Sequence, residues 1–194
     1  MITTVQKRSI FRRSIVVGFV VILAGVLAGC LKFPLGDPEK ATIDTALVGD
    51  WFKRANDGAV TIWRAQPFDQ RAYLVMQYEA RPDGNGGWER GGLAVCKMWV
   101  TEVAGKSFAC MKVLSEASEQ PYLAFQYEYA NDAVTIHAIN ADFVNKAGVT
   151  DAAGFEALVK ANIDNRAMYL DPDSYEKATD ADRETIDAIC KAFH

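Results

Sequence analysis

Two histidines, His137 and His194, bound the acid–base and nucleophilic chemistry open to this chain. A Ser-His-Asp or Cys-His site would have to run through His137, and Val134-Thr135-Ile136-His137-Ala138 offers it no partner in local reach, so a structural imidazole is expected. Metal chemistry is equally poorly provided: there is no Cys-x-x-Cys, His-x-His or His-Glu-x-x-His. Asp171-Pro172-Asp173, Asp180-Ala181-Asp182 and Asp83-Gly84-Asn85 carry oxygens of the kind a calcium loop uses. None of them adds the glycine at position six and glutamate at position twelve that an EF-hand needs, and helix caps and a hairpin turn explain them. Gly86-Gly87 and Gly91-Gly92 are not followed by a helical pattern, which removes a phosphate loop. No cofactor, no metal and no enzymatic activity is expected.

A different chemistry is suggested by a repeated fragment, Leu74-Val75-Met76-Gln77-Tyr78-Glu79 and Leu123-Ala124-Phe125-Gln126-Tyr127-Glu128, offset by 49 residues. At the two-residue period of a strand, each copy puts Gln and Glu on one face and Tyr on the other. With the Gln/Glu face inward, Gln77, Glu79, Gln126 and Glu128 would line a polar cavity; with it outward they are solvated. Leu, Met or Phe, and Tyr share the opposite face, which favours the outward reading. The inward set is then Leu74, Met76, Tyr78, Leu123, Phe125, Tyr127 and Tyr129, joined by Trp51, Ile62 and Trp99. Trp51, Met76, Tyr78, Trp99, Phe125 and Tyr127 become the candidate lining of a hydrophobic ligand site, unless they fill the core solidly.

The elements that hold these residues read as strands. Stretches 59–65, 71–80, 91–101, 106–114, 121–130 and 133–140 mix alternating, β-branched and aromatic residues. Asn56-Asp57-Gly58, Asp83 to Gly87 and Ala104-Gly105 supply turns between them. After Asn140 the pattern becomes helical, with Thr150 or Asp151 as cap and Phe155, Leu158, Val159 and Asn162 as one stripe. Ala167 to Leu170 is expected as a brief closing strand, Asp171-Pro172 as the start of a short helical turn, and Thr179-x-x-Asp182 as a capping box before Ile186, Ile189 and Phe193. The fold class is mainly β within α+β: an antiparallel up-and-down meander with C-terminal helices.

The beginning of the chain reads differently. Met1 to Ser14 is basic and polar, Ile15 to Leu27 almost wholly apolar, and Ala28-Gly29 precede Cys30, the three parts of an export signal. Leu27-Ala28-Gly29-Cys30 resembles the lipobox of bacterial lipoproteins. That resemblance implies diacylglycerol on the Cys30 thiol, cleavage between Gly29 and Cys30, and attachment to a membrane. Ile15 to Gly29 supplies 15 residues where a spanning helix needs about 20. Leu31, rather than aspartate, follows the cysteine, which in double-membraned bacteria implies the outer membrane, facing the periplasm. Residues 1–29 are thus expected as a signal peptide, 30–46, with Pro34, Gly36 and Pro38, as a lipidated tether, and 47–194 as a single globular domain. Without the leader the chain carries 17 basic and 25 acidic residues, a charge of −8, which argues against nucleic acid as a partner. Cys96, Cys110 and Cys190 remain, allowing at most one internal disulfide, with spacing unable to choose the pair.

Leu47-Val48-Gly49-Asp50-Trp51 resembles the Gly-x-Trp signature of the first strand of lipocalins and related calycins, over residues 47 to roughly 140. The resemblance implies an eight-stranded barrel with the tryptophan plugging its base and an arginine packed on that ring; no arginine of the chain is matched to that role. Counting 47–53 and 167–170 gives eight strands, enough to close around one small ligand. The helix expected before the last strand departs from the lipocalin order. Two functions follow as expectations: an envelope lipoprotein holding a hydrophobic small molecule, or a solid-core inhibitor or assembly module that meets a periplasmic protein through loops such as Pro82 to Gly92.

Overall fold

The computed structural model describes residues 31–114 and 122–193. The leader expected over 1–29, the cleavage expected between Gly29 and Cys30 and the lipidation expected at Cys30 all fall outside the described residues. Eight strands follow in order: β1 (Gly49–Arg54), β2 (Val60–Pro67), β3 (Tyr73–Pro82), β4 (Trp88–Val103), β5 (Lys106–Val113), β6 (Tyr122–Ala130), β7 (Ala133–Ala138) and β8 (Asp173–Lys177). Each pairs antiparallel with its neighbour, and β8 pairs with β1, so the sheet is a closed up-and-down barrel. Closure matters physically because it leaves no unpaired strand edge. Three α-helices occur among the described residues: α1 (Ala141–Lys146), α2 (Ala152–Ala161) and α3 (Arg183–Ala192).

The turns form where the residues permit it. Ala104 and Gly105, and likewise Asn131 and Asp132, all have φ between +50° and +77°, the requirement of a two-residue hairpin that follows the strand twist. Gly49 has φ +131°, a conformation open to glycine, and it bends β1 so that the Trp51 indole enters the base of the barrel and donates to Leu47 O at 2.9 Å. Lys177 of β8 holds its ammonium 5.5 Å from the Trp51 ring centroid, a cation–π contact.

Three apolar clusters hold the molecule. One fills the barrel, with Trp51, Tyr73, Met98, Met111, Phe125 and Tyr175 among its members. A second lies outside β4 to β6, where Trp99, Phe108 and Cys110 are covered by Leu31 and Leu35, by α1 and by α2. The third lies outside β1 to β3, where Phe52, Ile62 and Tyr78 are covered by Ile186 and Ile189 of α3. Fully burying each isoleucine contributes about 1.5–3 kcal/mol. The Thr179/Asp182 capping box starts the turn that feeds α3, as the sequence pattern predicts. Arg90 of β4 donates to the Ala192 carbonyl at the other end of the helix.

Three expectations are corrected. The closing strand is Asp173–Lys177, not 167–170: Arg166–Met168 is a 3-10 turn capped by Asn165, and Tyr169 makes a single bridge to Ile139. Asp171-Pro172 accordingly leads into a strand rather than a helical turn. Residues 31–46 are not a free tether either. Leu35 is fully buried, its N–H donates to Cys110 Sγ at 3.4 Å, and its carbonyl accepts from Trp99 Nε1 at 2.9 Å. The apolar residues of this segment outweigh its Pro and Gly content, and it runs down the outside of the barrel as a strap.

Candidate ligand site at the open end of the barrel

The two ends of the barrel differ. At the end holding turns 68–72, 104–105 and 131–132, residues 43–48 lie across the opening. The Tyr73 hydroxyl donates to Asp44 O at 2.9 Å and the Tyr127 hydroxyl to Asp44 Oδ2 at 3.1 Å. Burial, with the Asp44 carboxylate second, pushes the Tyr127 phenol above its ordinary range; burial raises Tyr73 to about 12. Both stay neutral donors at ordinary pH. Tyr73, Val75 and Ala109 are exposed by 2% or less, so this half is packed solid.

Toward the opposite end, the inward-facing Trp63, Gln77, Glu79, Ala94, Val113, Leu123 and Ala138 are only partly buried. Cross-strand register puts Gln77 opposite Trp63 and Ala94, and Glu79 opposite Thr61 and Gly92, all on the inner face. Gly91 is the extra residue of a bulge between Glu79 and Ala80; a side chain there would meet Glu79 O at 2.8 Å. Ala94, Val113, Leu123 and Ala138 pack partly buried against the lumen cluster and form the apolar side of a cup. Its polar side is Lys53, Asp173, Gln77 and Glu79.

The polar groups are organised. Lys53 Nζ donates to Asp173 Oδ1, with the two side chains 37% and 38% exposed, at a depth that water reaches. The Tyr175 hydroxyl donates to Asp173 Oδ2 at 3.3 Å, and Gln77 Nε2 donates to Glu79 Oε1 at 2.8 Å. Burial, and then the nearby Asp173 carboxylate, raises the Tyr175 phenol far above its ordinary range and keeps it a proton donor. The floor is aromatic: Trp63 lies 4.8 Å from Tyr175 and 5.7 Å from Phe125, centroid to centroid. Trp63 Nε1 is buried and has no hydrogen-bond acceptor among the described residues. Leaving such a donor unpaired costs about 1–3 kcal/mol.

Of the six residues proposed from sequence as lining, Trp51, Phe125 and Tyr127 point inward. Trp51 and Tyr127 are committed to the closed end, and Phe125 reaches the cup. Met76 and Tyr78 point outward under α3, and Trp99 outward under the 31–35 strap; Leu74 and Ile62 share the outer face. The inward orientation expected for Met76, Tyr78 and Trp99 is not met, because a helix or strap makes an outer face as apolar as an inner one. Lys53, Trp63, Gln77, Glu79, Asp173 and Tyr175 were not among the six. Two-residue alternation from Trp51 would have placed Lys53, while Asp173 and Tyr175 were hidden by the helical reading of Asp171-Pro172.

His137 lies on the outer face opposite Gln126, its ring 6.1 Å from Tyr169. Cys96 packs in the lumen cluster, Cys110 in the cluster outside β4 to β6 and Cys190, on α3, in the cluster outside β1 to β3. Burial pushes the Cys110 thiol up to about 12, which makes it a poor nucleophile. Among the described residues no group of three or more His, Cys, Asp or Glu could hold a metal ion, and no helix is long and apolar enough to cross a membrane. No family model, no curated protein and no solved structure matches this chain.

Proposed function

We propose that this chain is an envelope lipoprotein, anchored through Cys30, whose barrel binds a small amphiphilic molecule in the cup at its open end. The observation that carries the binding reading is the half-exposed cup, with an aromatic floor, paired polar groups on one wall and the unpartnered Trp63 Nε1. An apolar body would lie against Trp63, Phe125 and Leu123, and an acceptor on the ligand would take the Trp63 N–H. Polar substituents would meet Lys53 and Gln77. Leu27 to Cys30 supports the anchor, and Leu31 after the cysteine supports the outer membrane in a double-membraned host.

The test of binding is titration of residues 31–194 with a lipophilic dye. Uptake is expected, abolished by Phe125→Asp and weakened about tenfold by Trp63→Phe, which keeps a ring and deletes the donor. No uptake, or uptake indifferent to both changes, overturns it. The filled lower half favours a second reading, a solid-core module docking a periplasmic protein, and a stoichiometric protein recovered from membranes together with a dye-inert barrel would establish that instead. The anchor is tested by Cys30→Ser, which should abolish lipid labelling and cleavage; persistence of both overturns it.

A further inference from the structure

Leu31 is the first described residue, and its place in the barrel wall says where an anchor on its neighbour would pull. Its N–H donates to Tyr122 O at 2.6 Å and its carbonyl accepts from Tyr122 N at 3.3 Å. Tyr122 opens β6. That end of β6 lies at the open mouth, with the last residues of β5 and β7 and the first of β8. Leu31 is 3% exposed, so it is held in the wall rather than swinging on a spacer. Cys30 is one peptide unit away, about 3.8 Å between Cα atoms.

The same arc of the mouth carries apolar side chains facing solvent. Leu114, directly after β5, is 51% exposed and donates its N–H to Val95 O; Leu170, whose N–H donates to Ala138 O at the end of β7, is 39% exposed. Leu114, Leu31 and Leu170 thus follow the rim across β5, β6 and β7. The turns on the other side of the mouth carry Asp57 and Asp83, while on this side Asp171, next to Leu170, is paired with Arg166. Most exposed of all is Phe68, at 62%, but it sits in the turn between β2 and β3 at the closed end.

We propose that the barrel rests on the phospholipid bilayer with its open mouth toward the membrane, Leu114 and Leu170 in contact with lipid beside the acylated Cys30. The inference rests on the anchoring proposed above. It deepens the binding reading by making the bilayer the source of what enters the cup: a membrane amphiphile rather than a solute of the bulk phase. The place of Leu31 at the start of β6, with Leu114 and Leu170 on either side, makes the contact edge-first, on the β5 to β7 side. The covalent chains hold the protein at the surface, and the rim leucines set its orientation.

The full lipidated chain, purified from membranes and placed in phosphatidylcholine vesicles carrying nitroxide-labelled lipid, tests this. A bimane label is introduced at Leu114→Cys, Leu170→Cys or Phe68→Cys, all exposed positions whose substitution leaves the core intact. Quenching is expected to be several-fold stronger at positions 114 and 170 than at 68. Equal quenching, stronger quenching at 68, or none at any position while the protein floats with the vesicles overturns the orientation and leaves the anchor standing. Protein that fails to float with vesicles overturns the anchor, and the orientation with it.

Discussion

The fragments Leu74–Glu79 and Leu123–Glu128 share Leu, Gln, Tyr and Glu in the same places, yet they turn opposite faces to the lumen. In β6, Leu123, Phe125 and Tyr127 point inward, and Gln126 with Glu128 outward. In β3, Leu74, Met76 and Tyr78 point outward, and Gln77 with Glu79 inward. The Gln-to-Glu hydrogen bond survives in both, at 2.8 Å inside the cup and 3.3 Å on the outer wall. What differs is the cover. The outer face of β3 lies under Ile186 and Ile189 of α3, so apolar side chains are buried there. Outside β6, Gln126 meets the Tyr169 hydroxyl at 3.0 Å, a polar partner for a side chain only 8% exposed. A strand in a closed barrel can bury either face, provided something covers the outer one.

The largest effect that tests this contrast is at the matched positions 125 and 76. Phe125→Ala should cost about 3–5 kcal/mol in urea unfolding, and Met76→Ala, half buried on the outer wall, about 1–2 kcal/mol. Equal costs would mean that the two faces are buried alike. Next, Ile189→Ala should cost about 2–4 kcal/mol and speed hydrogen exchange around Tyr78 without changing it around Phe125. If both regions loosen together, α3 is not the separate cover of β3.

Acid should reach the same helix. The Thr179 backbone N–H, and then its side chain, hold the Asp182 carboxyl below its ordinary 3.8. A carboxyl lowered in the folded state stabilises it fully above about 3.8, and that contribution is lost as pH falls through the lower folded value. As pH falls below 3.8, exchange should therefore rise around α3, and Asp182→Ala should lose about 1 kcal/mol at neutral pH while flattening that acid dependence. An unchanged acid profile in the variant would remove the capping box from the explanation. The smallest effect separates the two glutamines: Gln126→Ala should cost about 1 kcal/mol and Gln77→Ala within about 0.5 kcal/mol, the latter reporting on dye uptake instead.

Much of the fold was readable because closure of an antiparallel meander needs only local signals. Six strands, the turns at 104–105 and 83–87, the Asp151 cap and the 179–182 capping box all follow from alternation and from residues that tolerate special backbone angles. The closing strand was misplaced because Asp173–Lys177 is short and follows a proline. The site was half legible. Phe125 stood out as an aromatic on an apolar face, but Lys53, Gln77, Glu79 and Asp173 look like solvated surface until the register brings them around one opening.

The amino-acid sequence by itself determined the class of structure and the bend at Gly49 that brings Trp51 to the base of the barrel. Period two states that two faces of a strand differ and is silent about which one meets the lumen. That choice belongs to the tertiary structure, because it depends on what α3 and the 31–46 strap cover from outside. The same packing turned an expected tether into a piece of the wall, and so placed Leu31, the neighbour of Cys30, at the mouth.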